Sequence, residues 1–409
     1  MDTLYFKRHL ETVLKQCVKQ TKVLIVIGPR QVGKTTLLKE ILSKEADYTY
    51  VSLDDDDVKK QAISDPKFFL NQFKTPLMID EIQKAPNLFE YIKFYVDKKD
   101  EYGQYILTGS EAFPIMQGVK DSLSTRCLIV DMQSLSYSEI TNKTNFHFIP
   151  DKFKMIERKC DAITPYEIFT NIIKGSMPEV NKNPLPNIYF FYKTYCQTVF
   201  KDITDDIIKI KDLWKFLAFL KVLASLVGQE VNVSLLAQNA SIDRKTAENW
   251  LNILLTLNIV FFLHPYSNNL LKRTTKLPKV YFFDTGLACY LMEYQNAEIL
   301  WNSEYAGHIF ECYAISEIYK GYINAAKHPS LYYIQTYEKK EIDLVIEGED
   351  GVLYPIEIKK AVTPRDKHFS NIGILKPLNN KLGPMTLICC ATDFTILKPN
   401  MFVFPIHWL

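Results

Sequence analysis

GPRQVGKT, from Gly28 to Thr35, decides how this chain is read: it fits G-x-x-x-x-G-K-[ST] and stands between an apolar run and a helical one. The run Val23 to Ile27 reads as a buried strand, and Thr36 to Leu42, with Leu37, Leu38 and Ile41 on one side, reads as the helix that follows. In that setting Gly28 and Gly33 let the backbone curl until its N–H groups face phosphate oxygens, while the new helix offers its positive end to the same anion. Gly28, Arg30, Gln31, Val32, Gly33, Lys34, Thr35 and Thr36 are therefore expected to bind a nucleoside triphosphate. Lys34 would reach the β and γ phosphates, and Thr35 would hold magnesium.

A triphosphate site also needs a carboxylate beside the magnesium. Leu77-Met78-Ile79-Asp80-Glu81 supplies one at the end of an apolar run, with Asp80 in the metal's outer shell and Glu81 placed to polarise an attacking water. A further run, Tyr105 to Leu107, ends in Thr108-Gly109-Ser110, polar groups for the γ-phosphate or the water. Strands are predicted at Val23 to Ile27, Tyr48 to Leu53, Leu77 to Asp80, Tyr105 to Leu107 and Cys127 to Val130, with helices between most of them. That pattern is an α/β fold with a parallel sheet. It resembles the additional-strand class of P-loop ATPases, in which the polar-tipped fourth strand lies between the phosphate-loop strand and the acidic one. Arg126, just before the fifth strand, is a candidate for stabilising charge on the γ-phosphate of its own subunit or a neighbour's. An ordinary surface arginine, or one paired with an acid, is the competing reading.

The 409 residues suffice for two to four domains, and 47% hydrophobic with 23% charged residues describes an ordinary soluble protein. A net charge of +2 gives no overall field that demands nucleic acid, so such a partner has to be argued from local patches. Cys17, Cys127, Cys160, Cys196, Cys289, Cys312, Cys389 and Cys390 lack C-x-x-C spacing and read as reduced thiols of a cytoplasmic protein. The start MDTLYFKRHLETVL is charged and amphipathic, unlike a secretory signal. Leu213 to Val227 is interrupted by Lys215 and Lys221 and forms one apolar helical stripe, so no membrane insertion is expected.

Beyond the fifth strand, a polar connection from Thr141 to Lys159 leads out of the sheet. Ile163 to Ile210 reads as helices broken at Gly175-Ser176-Met177-Pro178-Glu179 and at Asn181 to Pro186, a piece able to act as a lid over the nucleotide. A winged-helix pattern follows: helices Leu213 to Val227, Val233 to Asn239 and Arg244 to Leu257, then a hairpin of Ile259 to His264 and Lys279 to Phe283 around the basic wing Asn268 to Lys276. Arg244, Lys245, Lys272, Arg273 and Lys276 are candidates for contact with nucleic acid. Docking of protein, or service as a lid, is the alternative use of such a module.

From about Trp301 the pattern changes again. A helix from Ala306 carries Gly307 and Glu311, and strands follow at Leu331 to Thr336, Ile342 to Ile346 and Val352 to Lys359. Glu311, Asp343 and Glu357-x-Lys359 resemble the PD-(D/E)XK nuclease core. Asp343 and Glu357, with the Ile358 carbonyl, would offer oxygen ligands to a second divalent cation. Glu311 would help place that metal or a water, and Lys359 would orient water or stabilise the reacting phosphate.

Taken whole, the chain from Tyr5 to about Thr363 resembles prokaryotic AAA-type ATP-binding proteins whose carboxy-terminal region combines winged-helix and restriction-endonuclease-like parts. The resemblance rests on GPRQVGKT, LMIDEIQ, LTGS, the SLSYSEIT run from Ser134, GSMPEV, KVYFFDTGLACYL, GHIFE, EIDLVI and IEIKK. It implies ATP binding and hydrolysis with Mg2+, and units at 1–145 (P-loop ATPase), 146–210 (helical lid), 211–300 (winged helix) and 301–409 (nuclease-like α/β domain). One departure is Ser124-Thr125-Arg126, where a glycine often precedes the arginine. The expected function is an ATPase whose nucleotide state controls a module acting on or binding nucleic acid. The alternative is a regulatory ATPase that engages a protein partner or a second copy, its nuclease-like part inactive.

Overall fold

The five apolar runs of the amino-terminal third pair side by side in a computed structural model that describes residues 5–45, 48–110, 115–116, 118–143, 147–182, 187–202, 213–267, 277–336, 338–378 and 380–409. They form β1 (Val23–Ile27), β2 (Thr49–Ser52), β3 (Leu77–Asp80), β4 (Tyr105–Gly109) and β5 (Cys127–Asp131). All pairings are parallel, in the order β2-β3-β4-β1-β5, so β4 lies between β1 and β3 as expected from the sequence. Every residue of β1, β3 and β4 is buried, because helices cover both faces of a parallel sheet. Alternation divides β1 between two cores: Val23, Ile25 and Ile27 pack with Ile79 and Leu107 on one face, and Leu24 and Val26 face the other. The second core does not stop at the sheet. It runs on through Phe148, Phe169, Leu220, Ile309 and Phe404, joining the amino-terminal sheet to the rest of the chain.

The middle of the chain is helical, with local signals at each start. Thr164 and Glu167 form a reciprocal capping box ahead of the helix Pro165–Lys174, and proline occupies its first position. Helices Ile188–Asp202, Leu213–Ser225, Val233–Asn239 and Arg244–Thr256 follow, the last capped by Asp243. Then β6 (Val260–Pro265) and β7 (Lys279–Phe282) pair as an antiparallel hairpin. Part of the expected helical break (183–186), residues 203–210 of the expected helical piece, and the wing 268–276 with Lys272, Arg273 and Lys276 lie outside the described residues.

The hairpin is not a separate sheet. β6 also pairs in parallel with β8 (Leu331–Gln335), His264 opposite Tyr332 and Pro265 opposite Tyr333. Strands β9 (Glu341–Glu347), β10 (Leu353–Lys359), β11 (Met385–Cys389), β12 (Thr395–Lys398) and β13 (Met401–Pro405) complete eight strands in the order β12-β13-β11-β10-β9-β8-β6-β7. The sheet thus continues across the limit at 300/301 that the sequence suggests. The helix Ala306–Asn324, buried along most of its length, packs on this sheet against β7 and β10. Strands β11 to β13 and the helix Thr285–Leu291 are additions to the sequence reading. All eight cysteines are free thiols. Among the described residues no helix is long and apolar enough to cross a membrane.

Candidate functional site

Because β1, β3 and β4 run parallel, their carboxyl ends lie along one edge, where the loops after them converge. The loop after β1 turns at Gly28, where a Cβ would stand 2.0 Å from the Met132 carbonyl oxygen, so only glycine fits that close approach. Lys34 is buried and its Nζ donates to the carbonyls of Gly28 and Pro29, both at 2.9 Å. Burial pushes its ammonium down to about 8, against the pull of Glu81 and Asp80.

At the second position of the helix Lys34–Glu45, the Thr35 hydroxyl donates to both oxygens of Asp80, at 3.0 and 2.9 Å. Asp80 ends β3 and also accepts from the hydroxyls of Thr108 and, at 3.0 Å, Tyr50. A hydroxyl beside a carboxylate is a set of hard oxygen donors, which suits magnesium that keeps several of its waters. Glu81 adopts the left-handed backbone (φ 57°), which turns its side chain from the strand toward β4. There its Oε2 accepts from the Ser110 amide (3.2 Å) and hydroxyl (2.9 Å) and from the Gln83 amide. The structure therefore brings Lys34, Thr35, Asp80, Glu81, Thr108 and Ser110 together, and adds Tyr50 and Gln83.

A cavity of about 680 Å³ opens beside Gln31, Val32, Gly33 and Thr36, and Tyr5, Phe6, Phe191 and Tyr195 also line it. Arg8 holds this lining to the loop: its guanidinium donates to the carbonyls of Val32 (3.0 Å) and Gln133 (2.6 Å) and to Glu139 Oε1 (3.1 Å). Burial works to raise the Glu139 carboxyl, but Arg8, His9 and the backbone N–H groups of Ser136 and His9 outweigh it and hold the group below its ordinary value. From the same segment, Ser134 meets Ser176 (Oγ to Oγ, 2.8 Å), and Ser176 donates through its N–H (2.7 Å) and hydroxyl (2.9 Å) to Asp284. Tyr192 donates to the other Asp284 oxygen at 2.7 Å. Nothing local in the sequence marks Arg8; Asp284 lies in the run KVYFFDTGLACYL, but the partners of both are remote along the chain.

Arg126 is a correction. In the β1–β5 register Val23 lies opposite Cys127, so Arg126 sits at the amino end of the sheet while the phosphate loop follows Ile27 at the other. A five-residue strand at about 3.3 Å per residue separates them by roughly 16 Å. Its guanidinium instead grips Asp97, at 2.5 and 3.0 Å. A role on its own subunit's γ-phosphate is excluded by this placement.

Arg244 and Lys245 open the helix Arg244–Thr256 and are exposed; Arg244 is paired with Glu248 at 2.8 Å. In the carboxy-terminal part, Asp343 on β9 and Glu357 and Lys359 on β10 do meet. Lys359 Nζ lies 2.6 Å from Asp343 Oδ2 and 3.0 Å from Glu357 Oε2. Asp343 also accepts from the N–H of Ile358 at 2.7 Å, whereas the sequence pointed to the carbonyl of that residue. Glu311 accepts from Tyr281 (2.5 Å) and lies 3.5 Å from Lys279 Nζ, which pairs with Glu341 as well. Burial, and then Asp343, push the Glu357 carboxyl up to about 8, and burial pushes Glu311 up to about 7. Of the acids expected to hold a second divalent ion, each is engaged by an amine: Glu311 by Lys279, and Asp343 and Glu357 by Lys359.

Comparison with known proteins divides the chain in three. Residues 20–141 match the family described as AAA domain, and residues 166–298 and 306–409 match two families each described as a domain of unknown function (DUF8612 and DUF4143). The chain is similar to the uncharacterized proteins Rv2008c of Mycobacterium tuberculosis and Mb2031c of Mycobacterium bovis, each 23% identical over 363 residues, 88% of this chain and 75% of the relative. Among solved structures, the Walker-type ATPase of Pyrococcus abyssi aligns with a TM-score of 0.42 and 14% identity, covering 70% of this chain and 96% of that one. The RuvB Holliday junction branch migration motor of Thermotoga maritima aligns with a TM-score of 0.29 and 15% identity, covering 62% and 88%.

Proposed function

From the premise of an AAA-type ATPase domain over residues 20–141, we propose that this chain is a cytoplasmic, magnesium-dependent ATP hydrolase. Its nucleotide state would be passed to the middle and carboxy-terminal parts, which bind or act on nucleic acid. The observation that carries the hydrolase reading is the Thr35 hydroxyl seated on both oxygens of Asp80, with Glu81 beside it in the grip of Ser110.

The loop N–H groups around Gly33 would cradle the phosphates, and Lys34 would exchange the carbonyls of Gly28 and Pro29 for phosphate oxygen. The base would lie in the cavity lined by Tyr5 and Tyr195. Bound magnesium would supply charge neutralisation at the phosphate oxygens, held by Thr35 directly and by Asp80 through water. Glu81, oriented by Ser110 and Gln83, would accept the proton of the attacking water. Arg126, at the far end of the sheet, would act on the γ-phosphate of a neighbouring subunit. The helical piece of 146–210 would act as the lid in this reading, and Arg244 and Lys245 would belong to the basic face.

Glu81→Gln keeps size and hydrogen bonding but removes the base. ATP should bind as in the wild type, while phosphate release falls by about 10²-fold or more. Unchanged turnover would refute the role of Glu81.

A second reading is favoured by the lysines seated on the carboxy-terminal acids. In it the ATPase is a nucleotide-operated regulator that engages protein, and the nuclease-like part is a scaffold. Ion binding at the acid cluster separates the two.

A further inference from the structure

The carboxy-terminal acids have a cation among them already, and it comes from outside their own segment. Lys279 lies on β7, ahead of the helix Ala306–Asn324 and of strands β8 to β10 that carry the acids. Its side chain is 6% exposed, and its Nζ sits 3.5 Å from Glu311 on that helix and contacts Glu341 on β9. The next residue but one on β7, Tyr281, points to the same side and donates to Glu311 at 2.5 Å, and Gln335 of β8 donates to the second Glu341 oxygen at 2.8 Å. The Lys279 ammonium also faces the ring of Tyr333, 5.3 Å from its centroid. Lys359 plays the matching part between Asp343 and Glu357. Four acids from a helix and two strands thus close around two lysines, and the one buried carboxylate oxygen there without a hydrogen-bond partner is Glu357 Oε1.

We infer that Lys279 is the resident counter-cation of this cluster, that β7 and the carboxy-terminal segment build the cluster jointly, and that it takes no divalent ion while Lys279 is in place. The physical ground is charge and space. A divalent ion drawn to Glu311 and Asp343 would have to take Glu311 from a buried ammonium that keeps Glu341, and would then sit beside that like charge in a desolvated place. This deepens the second reading above and does not depend on ATP turnover. It also means that residues 301–409 alone lack Lys279 and Tyr281, so only the full chain reports on the site.

The test is equilibrium binding of Mn2+ to the nucleotide-free full chain, followed by the electron paramagnetic resonance of free Mn2+. Asp343→Asn should leave the wild-type stoichiometry unchanged. Lys279→Met should gain one ion per chain, which adding Asp343→Asn removes, whereas Lys279→Arg should gain none. Should Lys279→Met not fold, Lys279→Gln, which keeps a donor beside Glu311 and Glu341, carries the same comparison. A wild-type ion that Asp343→Asn abolishes would overturn both the inference and the second reading. A folded Lys279→Met or Lys279→Gln that gains no ion would overturn the role of Lys279 and leave the second reading standing.

Discussion

Lys34 shows how the phosphate loop stores its readiness for an anion in a single side chain. Its folded value of about 8 lies below the ordinary 10.5, so between these two pH values the unfolded chain holds the extra proton. Charging the buried ammonium therefore costs stability below about 8, and that cost is relieved as the pH rises toward 10.5. A triphosphate at the loop reverses the shift by pairing with the charge. ATP binding should accordingly take up a proton above pH 8 and weaken as the pH is raised further. Calorimetry in two buffers of different ionisation heat reads the proton directly, and Lys34→Ala should lose both the uptake and about 1.5–3 kcal/mol of affinity, roughly 10- to 150-fold in Kd. Proton uptake that persists in Lys34→Ala would assign it to another group.

Between elements, the contacts that matter are those where two backbones meet over a polar centre. Gly175 ends the helix Pro165–Lys174, and a Cβ there would stand 2.1 Å from the Tyr192 hydroxyl and 2.8 Å from an Asp284 oxygen. Gly175→Ala should push Tyr192 off Asp284 and destabilise the fold by about 1–3 kcal/mol, seen as a lower denaturant midpoint; a midpoint equal to wild type would mean the network relaxes freely. This centre joins GSMPEV to KVYFFDTG, through Ser176 and Asp284. What the sequence makes legible is local: the phosphate loop with its strand and helix, the acids that end β3, the polar tip of β4, and the acids and lysine of β9 and β10. What it hides is pairing at a distance. Arg8 finds Glu139 across 131 positions and Lys279 finds Glu341 across 62, and no spacing rule reaches that far. The placement of Arg126 was legible in principle, since a residue that precedes a parallel strand belongs to the end away from the loops that follow the strands.

At the scale of the molecule, the coupling of nucleotide to the carboxy-terminal sheet that we propose has a contact to run through in the helix Ala306–Asn324. Glu317 and Lys320, buried and 2.8 Å apart, reach the segment after β5: the Tyr137 N–H donates to Glu317 at 2.6 Å, and Lys320 donates to the Leu135 carbonyl at 3.1 Å. Removing one partner would leave a lone buried charge, so the informative variant is Glu317→Gln with Lys320→Gln. ATP affinity should stay near wild type, while the hydrogen-exchange protection that nucleotide confers on β8 to β13 should be lost. Protection that survives in the double variant would send the coupling elsewhere, through Ser176 and Asp284. The shared sheet has one more consequence, for the chain as it is being made. On the ribosome β6 and β7 emerge well before β8, and until β8 arrives one edge of β6 has unpaired N–H and C=O groups that a second nascent chain could extend. Pro265, which has no N–H to offer, and the exposed His264 end that edge where β8 will dock. At the two positions that β8 will cover, a foreign strand would find one N–H in place of two, a poor template in the interval before the chain's own partner strand exists.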